Sequence, residues 1–313
     1  MEALKAAAAV VAYPGFVFSA ALGMFASWVD RKVTARVQWR VGPPLLQPLY
    51  DVVKLLGKET IVPAEGVRWV FLGAPVFALS TATLAATLVW QSQIAPAAQT
   101  FVGDVIVALY LLTGPAVALV IGAFASRNPL ASVGGSREMK LVLAYELPLT
   151  LCILVAVIKA GSLRLGDILL WQAANGAVGA SLSGVLACVV AVLCMQAKLG
   201  LVPFDVAEAE TEIMGGALIE YSGPALAVYK LSRFVMLTAL PLLVVATLLG
   251  GVRFDAGARG VLLGLGKVVL LWVGATLIRN TNPRVRIDQA LLFFWGPMTI
   301  VAAAAVVLAM AGL

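Results

Sequence analysis

Five of the chain's 16 acidic residues, Asp205, Glu208, Glu210, Glu212 and Glu220, fall in the single stretch KLGLVPFDVAEAETEIMGGALIEYSGPALAVYKLSR at 198–233. Apolar runs flank it, and acids beside a membrane are costly to desolvate, so the set marks a functional site. Crowded carboxylates in a poorly solvated place do not all ionise. Some then hold a proton near neutral pH and pass it on, as a relay requires. Pro203 suits the first turn of a helix and Asp205 its positive end. The spacing therefore predicts Asp205, Glu208 and Glu212 on one helical face at i, i+3 and i+7, with Glu210 pointing elsewhere. A solvated loop that docks a basic partner surface is the other reading of the same charges.

Glu146, in KLVLAYELPLTLCIL, is a second signal, because an ionisable residue inside an apolar span is a functional-site hypothesis by default. Pro148 beside it removes a helical hydrogen bond and opens carbonyls to water. A structural ion pair with Lys230 or Arg233 is the alternative. Either cation is expected to tune a carboxylate or to snorkel to an interface. In WVDRKVTARVQWRVGPP, Arg31, Arg36 and Arg40 alternate with Trp28 and Trp39. Directly after an apolar run, these anchor a helix end and face a peripheral partner; they do not form a nucleic-acid patch. The Gly-rich SVGGSRE at 132–138 lacks the strand-to-helix setting of a phosphate loop and reads as a turn.

The elements that position these residues are membrane helices. Of 313 residues, 62% are hydrophobic and 12% charged, with mean hydropathy +1.00, whereas a soluble domain is about 45–50% apolar and about 25% charged. A water-soluble enzyme is excluded. The expected fold is all-α and polytopic, with eight spans near 6–29, 68–90, 103–126, 139–160, 180–202, 217–250, 258–279 and 289–311. The sixth is long enough to tilt or to break at Ser222-Gly223-Pro224. Leu45, Leu46, Leu49, Val52, Val53 and Leu56 recur at helical spacing, which predicts an amphipathic interfacial helix over 45–58 against lipid or a partner.

Lys and Arg gather in the loop 30–67 and near 127–138, Lys198 and 280–288, while Lys5, Lys159, Arg164, Arg253 and Arg259 are scattered on the other side. The positive-inside rule then puts the loops 30–67 and 203–223 in the cytoplasm and both termini outside. There is no His, the commonest ligand of haem and zinc. Cys152, Cys188 and Cys194 lie apart in apolar stretches without a CxxC pair, so a metal site in this chain is not expected.

VPFDVAEAETEIMGGALIEYSG closely resembles the acidic loop of the membrane subunit that complex I, the proton-pumping NADH:quinone oxidoreductase, shares with energy-converting membrane-bound [NiFe] hydrogenases. RKVTARVQWRVGPPLLQPLYDVVKLLGKE is similar to the same family's first cytoplasmic loop, SREMKLVLAYELP to its Tyr-Glu span and RVRIDQALLFFW to its last loop. These segments follow in order along nearly the whole chain. Gly42-Pro43-Pro44, where the complex I form usually reads Gly-Pro-Asn, and IMGGALIEYSGPALAVYKLS look more like the hydrogenase branch.

The resemblance implies a subunit with no redox centre of its own. It would lie beneath peripheral hydrogenase large and small subunits and an iron–sulfur subunit that carry the [NiFe] centre and the clusters, beside antiporter-like membrane subunits, in a prokaryotic inner membrane. It further implies that Asp205, Glu208, Glu210, Glu212, Glu220 and Glu146 form the start of an ion path. Tyr145 and Tyr221 would hydrogen-bond two of these acids, and Arg31, Arg36 and Arg40 would meet the peripheral arm. The rivals are the complex I subunit with a quinone chamber at 203–223, a stand-alone antiporter, which the absence of repeated halves disfavours, and a passive scaffold.

Overall fold

The computed structural model describes residues 2–97 and 100–313, and among them every regular element is helical. In chain order the helices are α1 (Glu2–Val11), α2 (Phe16–Val37), α3 (Gln47–Leu56), α4 (Arg68–Ile94), α5 (Asp104–Ala125), α6 (Pro129–Ala160) and α7 (Leu165–Asn175), followed by α8 (Leu182–Lys198), α9 (Glu210–Ile213), α10 (Gly223–Leu248), α11 (Gly257–Thr281), α12 (Ile287–Phe293) and α13 (Thr299–Met310). Among the described residues, seven stretches are long and apolar enough to cross a membrane: Ala7–Val37, α4, α5, α6, α10, α11 and Ile287–Met310. The fifth expected span is α8, an apolar helix of 17 residues. The chain is an integral membrane protein.

α10 is the central helix, with 83% of its apolar stretch buried, against 17% for the last span. It packs between α2 and α4; α4, α5 and α6 are successive neighbours; α8 and α13 lie on α6; and α11 lies on α2. Lipid tails are as apolar as leucine, so close backbone approach holds such helices together. A Cβ on Gly23 of α2 would fall 1.8 Å from the carbonyl oxygen of Phe234 in α10, and one on Gly114 of α5 would fall 2.4 Å from Thr81 Oγ1 in α4.

Two boundaries differ from the sequence reading, and one expected break is found. α2 runs on to Val37, so Arg31 and Arg36 sit on a helix and not in the loop beyond it. α6 begins at Pro129, with Asn128 Oδ1 accepting from Leu130 N at 2.8 Å, so 132–138 is helix and not a turn. The break expected in the sixth span is present: α10 starts at Gly223 with Pro224 in its first turn, and a separate 3₁₀ turn covers Gly216–Leu218. α3 buries Pro48 and Val52 against the bundle and leaves Leu49, Tyr50, Val53 and Leu56 exposed.

Candidate functional site

α8 is short, and that decides where the acidic segment goes. Seventeen residues rise ~25 Å, less than the ~30 Å hydrocarbon core. The chain therefore leaves α8 inside the bundle. Non-helical backbone is tolerated at that depth only where protein buries it or a cavity hydrates it. Pro203, Phe204, Val206, Ala207 and Ala209 are buried, and the Phe204 ring lies 4.8 Å from that of Phe294. Gln196 Nε2 donates to Val202 O at 2.6 Å. Val285 N donates to Pro203 O at 3.0 Å, and Ala217 N to Ala207 O at 3.3 Å.

Carbonyls that a helix would have used are thus spent on other segments, and the helix expected from Pro203 does not form. Helical structure is confined to the single turn of α9 and the 3₁₀ turn at Gly216–Leu218. Asp205, Glu208 and Glu212 consequently share no helical face. Each meets a cation from a different element: Asp205 pairs with Arg284 at 3.1 Å, Glu208 with Arg233 of α10, and Glu212 with Arg137 of α6 at 2.6 Å. Glu220 accepts from Asn128 Nδ2 at 2.5 Å, and Glu210 is exposed.

Asp205, Glu208 and Arg233 border a cavity of about 350 Å³ enclosed by the loop and by α2, α5, α6, α8, α10 and α11. Asp30, Arg31, Glu138, Lys198, Asp205, Glu208, Lys230, Arg233 and Arg279 supply its charged lining. Arg279 Nη1 bonds Asp30 at 2.6 Å, which closes α11 against α2. Burial pushes the Asp205 carboxyl up to about 6, the Glu208 charge adds to this, and Arg284 and Arg233 only partly counter it.

Beyond the cavity, Lys198 reaches Glu146. Its side chain is 1% exposed, and Nζ donates to Glu146 Oε1 at 2.5 Å and to Thr113 Oγ1 at 3.0 Å. Thr113 Oγ1 also donates to Glu146 at 2.7 Å. The counter-charge of Glu146 is therefore Lys198, and neither Lys230 nor Arg233 pairs with it. α6 continues through Pro148 without a break, and Thr150 Oγ1 donates to the Glu146 carbonyl at 2.8 Å.

Neither tyrosine bonds its neighbouring acid, because successive residues of a turn point to different sides. Tyr145 is fully buried, its ring 5.6 Å from Lys198 Nζ, and its hydroxyl has no protein partner. Tyr221 donates to Phe71 O at 2.9 Å and stacks on the Phe71 ring at 4.1 Å. Burial pushes its phenol up to about 12, so it keeps its proton near neutrality and does not release it to a relay. Arg31 binds Asp51 of α3 at 2.9 Å, while Arg36 and Arg40 are exposed. Burial raises the Asp51 carboxyl, but hydrogen bonds from Arg31 and Gln47 outweigh it and hold the group below the usual range.

Glu138 and Lys198 are functional candidates that the sequence reading missed. Glu138 lay hidden in the apparent turn at 132–138. The glycines there serve close approach: a Cβ on Gly134 would lie 2.4 Å from Ala217 N and 2.8 Å from Ala207 O, so the acidic segment is laid directly on α6. Lys198 looked like a loop charge because the shortness of α8 is not visible in hydropathy.

Such a fold and site define a class: a polytopic membrane subunit whose re-entering acidic segment surrounds a charged cavity at one end of the bundle. The family model described as NADH dehydrogenase matches residues 9–310, and the chain belongs to that family. An NADH-quinone oxidoreductase subunit of Thermomicrobium roseum is 35% identical over 308 residues, covering 90% of this chain and 89% of that protein. Among solved structures, a chain of the membrane-bound sulfane sulfur reductase, an archaeal respiratory membrane complex, is 27% identical, with a TM-score of 0.84 over 94% of this chain and 96% of that one. This chain is a membrane subunit of a complex I-like respiratory complex, and partner subunits are expected.

Proposed function

We propose that this chain is the ion-translocating subunit of an energy-converting [NiFe] hydrogenase complex in a prokaryotic cytoplasmic membrane, with both termini outside. One observation carries the translocation: the buried Lys198 ammonium stands between the cavity, which it lines, and Glu146, to which it bonds at 2.5 Å. A charge inside a membrane protein is expensive, and such residues mark ion pathways. Redox change in the peripheral arm shifts the acidic segment through its bonds to Arg233, Arg284 and Arg137, and the cavity then passes H⁺, or Na⁺, toward Glu146.

The [NiFe] centre and the iron–sulfur clusters belong to the hydrogenase large and small subunits and the iron–sulfur subunit. The chemistry of this chain's donors fits neither, since it has no His and its three cysteines are single thiols within α6 and α8. Antiporter-like membrane subunits would receive the ion. Gly42-Pro43-Pro44 and the 213–232 segment support the hydrogenase branch.

The 35% identity to a quinone oxidoreductase subunit favours a second reading, in which the cavity takes a quinone head group. Metal analysis of the complex purified through this chain separates the two. Nickel in proportion to the subunit supports the hydrogenase reading; iron and flavin without nickel, with binding of a quinone-site inhibitor, overturn it. The translocation reading is tested by Glu146→Gln in proteoliposomes, where ion uptake per electron is expected to be lost. Unchanged uptake would sink it.

A further inference from the structure

Of the acids facing the cavity, Glu138 differs from the rest. Asp30, Asp205 and Glu208 each hold a cation: Arg279, Arg284 and Arg233. Glu138 is 8% exposed and lines the cavity, yet no ion pair or side-chain hydrogen bond engages it among the described residues. The charges acting on it are Glu208, Asp205 and Arg233. Arg233 is already held by Glu208, and Lys198 by Glu146. A bare carboxylate is costly to keep in an apolar setting, so a buried acid without a cation exchanges its proton according to whether a cation is free to face it.

The possible donors of that cation are limited by the packing of α6. α6 packs against α5, α8, α10, α12, α13 and the 203–217 segment, of which α12 brings only Asp288 and α13 no charge. The other cations on the cavity wall, Arg31 and Arg279, are held by Asp51 and Asp30. α5 carries no charged residue after Asp104 at the far end. α8 offers only Lys198, α10 offers Lys230 and Arg233, and the segment contributes acids alone. Lys230 acts on Asp51 instead. The partner of Arg233, Glu208, sits on an irregular segment, while Glu138 sits on a continuous helix. The carboxylate able to leave is therefore Glu208.

We propose that Glu138 is a proton-binding site switched by ion-pair exchange at Arg233. With the acidic segment seated, Glu208 occupies Arg233 and Glu138 bears a proton. When the segment draws Glu208 away, Arg233 turns to Glu138, the O–H bond of Glu138 breaks, and the proton passes through the cavity to form an O–H bond on Glu146. No electron moves in this step. Reseating Glu208 reclaims Arg233, a proton delivered from the aqueous phase through the cavity reprotonates Glu138, and Glu146 gives its proton onward to the neighbouring membrane subunits and re-forms its ion pair with Lys198. The segment acts as the handle and Arg233 as the shared cation.

The inference rests on the translocation reading above, and the test separates the two. In the whole complex, infrared difference spectra between reduced and oxidised states should show the carbonyl stretch of a protonated carboxylic acid. Glu138→Gln is expected to remove the band and to abolish ion uptake per electron, and Glu138→Asp to restore part of both. Glu208→Gln is also expected to remove the band, because Arg233 is then always free to pair with Glu138; a purely structural Glu138 would not respond to that change. Normal uptake in Glu138→Gln with uptake lost in Glu146→Gln overturns this inference and leaves translocation standing. Normal uptake in both overturns both. If Glu138→Gln does not assemble, a wild-type spectrum without the band, or a band unmoved in Glu208→Gln, overturns the exchange.

Discussion

The two ends of the helix bundle bury polar groups to different purposes. At the far end, the buried Asp104, Gln172 and Gln93 and the half-buried Lys267 bond to backbone. Asp104 accepts from Leu165 N at 2.7 Å and caps α7, Gln172 donates to Ala246 O at 2.8 Å, Gln93 accepts from Val252 N at 2.7 Å, and Lys267 donates to Leu249 O at 2.5 Å. Each satisfies a group that lipid could not, which is a condition of folding in a membrane. At the acidic end, charged side chains also bond to one another, and each pair joins separate elements: α2 to α11, α2 to α3, α6 to α9, α6 to α8 and the acidic segment to α10, with all but the α6–α9 pair contributing a residue to the cavity wall. Backbone bonds are made once and kept. Charge pairs that border a cavity have alternatives, and alternatives are what a coupling device needs.

The largest expected effect separates function from stability at the acidic end. Lys198→Met strands Glu146 beside a hole in its partner and should cost about 3 kcal/mol, read as a lower Tm in detergent, with ion uptake lost. Adding Glu146→Leu should restore most of the Tm and none of the uptake. If uptake returned with stability, the pair would be structural and the two ends alike. At the far end, Asp104→Ala leaves the Leu165 amide without its acceptor and should cost about 1–3 kcal/mol of stability, with uptake per electron unchanged in the assembled complex. A selective loss of coupling there would break the contrast from the other side.

Gly134→Ala drives a methyl into the backbone of Ala217 and Ala207. Hydrogen exchange across 203–217 should quicken, with a stability cost of about 1–3 kcal/mol that stays confined to that segment. Asp205 adds a pH signature. Its carboxyl lies at about 6 when folded, against 3.8 ordinarily, so the folded state binds more protons between those values. Stability of the segment therefore falls as pH rises from about 4 to about 6 and levels above that. Amide protection over 203–209 should follow that curve, and Asp205→Asn should flatten it.

The smallest effect belongs to Asp51, whose bond to Arg31 is partly exposed. Asp51→Asn should change Tm by less than ~1 kcal/mol equivalent. Because its folded carboxyl lies below the ordinary value, this contribution is present above pH 3.8 and disappears only as pH falls through the depressed value. Loss of α3 docking at neutral pH on lowering salt would contradict the assignment.

Hydropathy alone determined that the chain is a bundle of membrane helices and located the spans to within a turn or so at most ends, because a ~30 Å apolar layer requires about 20 apolar residues wherever it is crossed. It also marked the break at Gly223-Pro224, the amphipathic α3 and the acidic residues of 198–233, since Pro, Gly and charge act locally. Only the tertiary structure decided that these acids do not share a helix face, that Lys198 and not Arg233 answers Glu146, that Tyr221 turns away from Glu220, and that Glu138 faces the cavity. The reason is physical. Where a carbonyl of 203–207 finds its donor, and which cation reaches which carboxylate, depends on residues 10–80 positions away or further, brought near by packing at glycines such as Gly134. Local sequence records the cost of burying a charge, whereas only the assembled bundle chooses its partner.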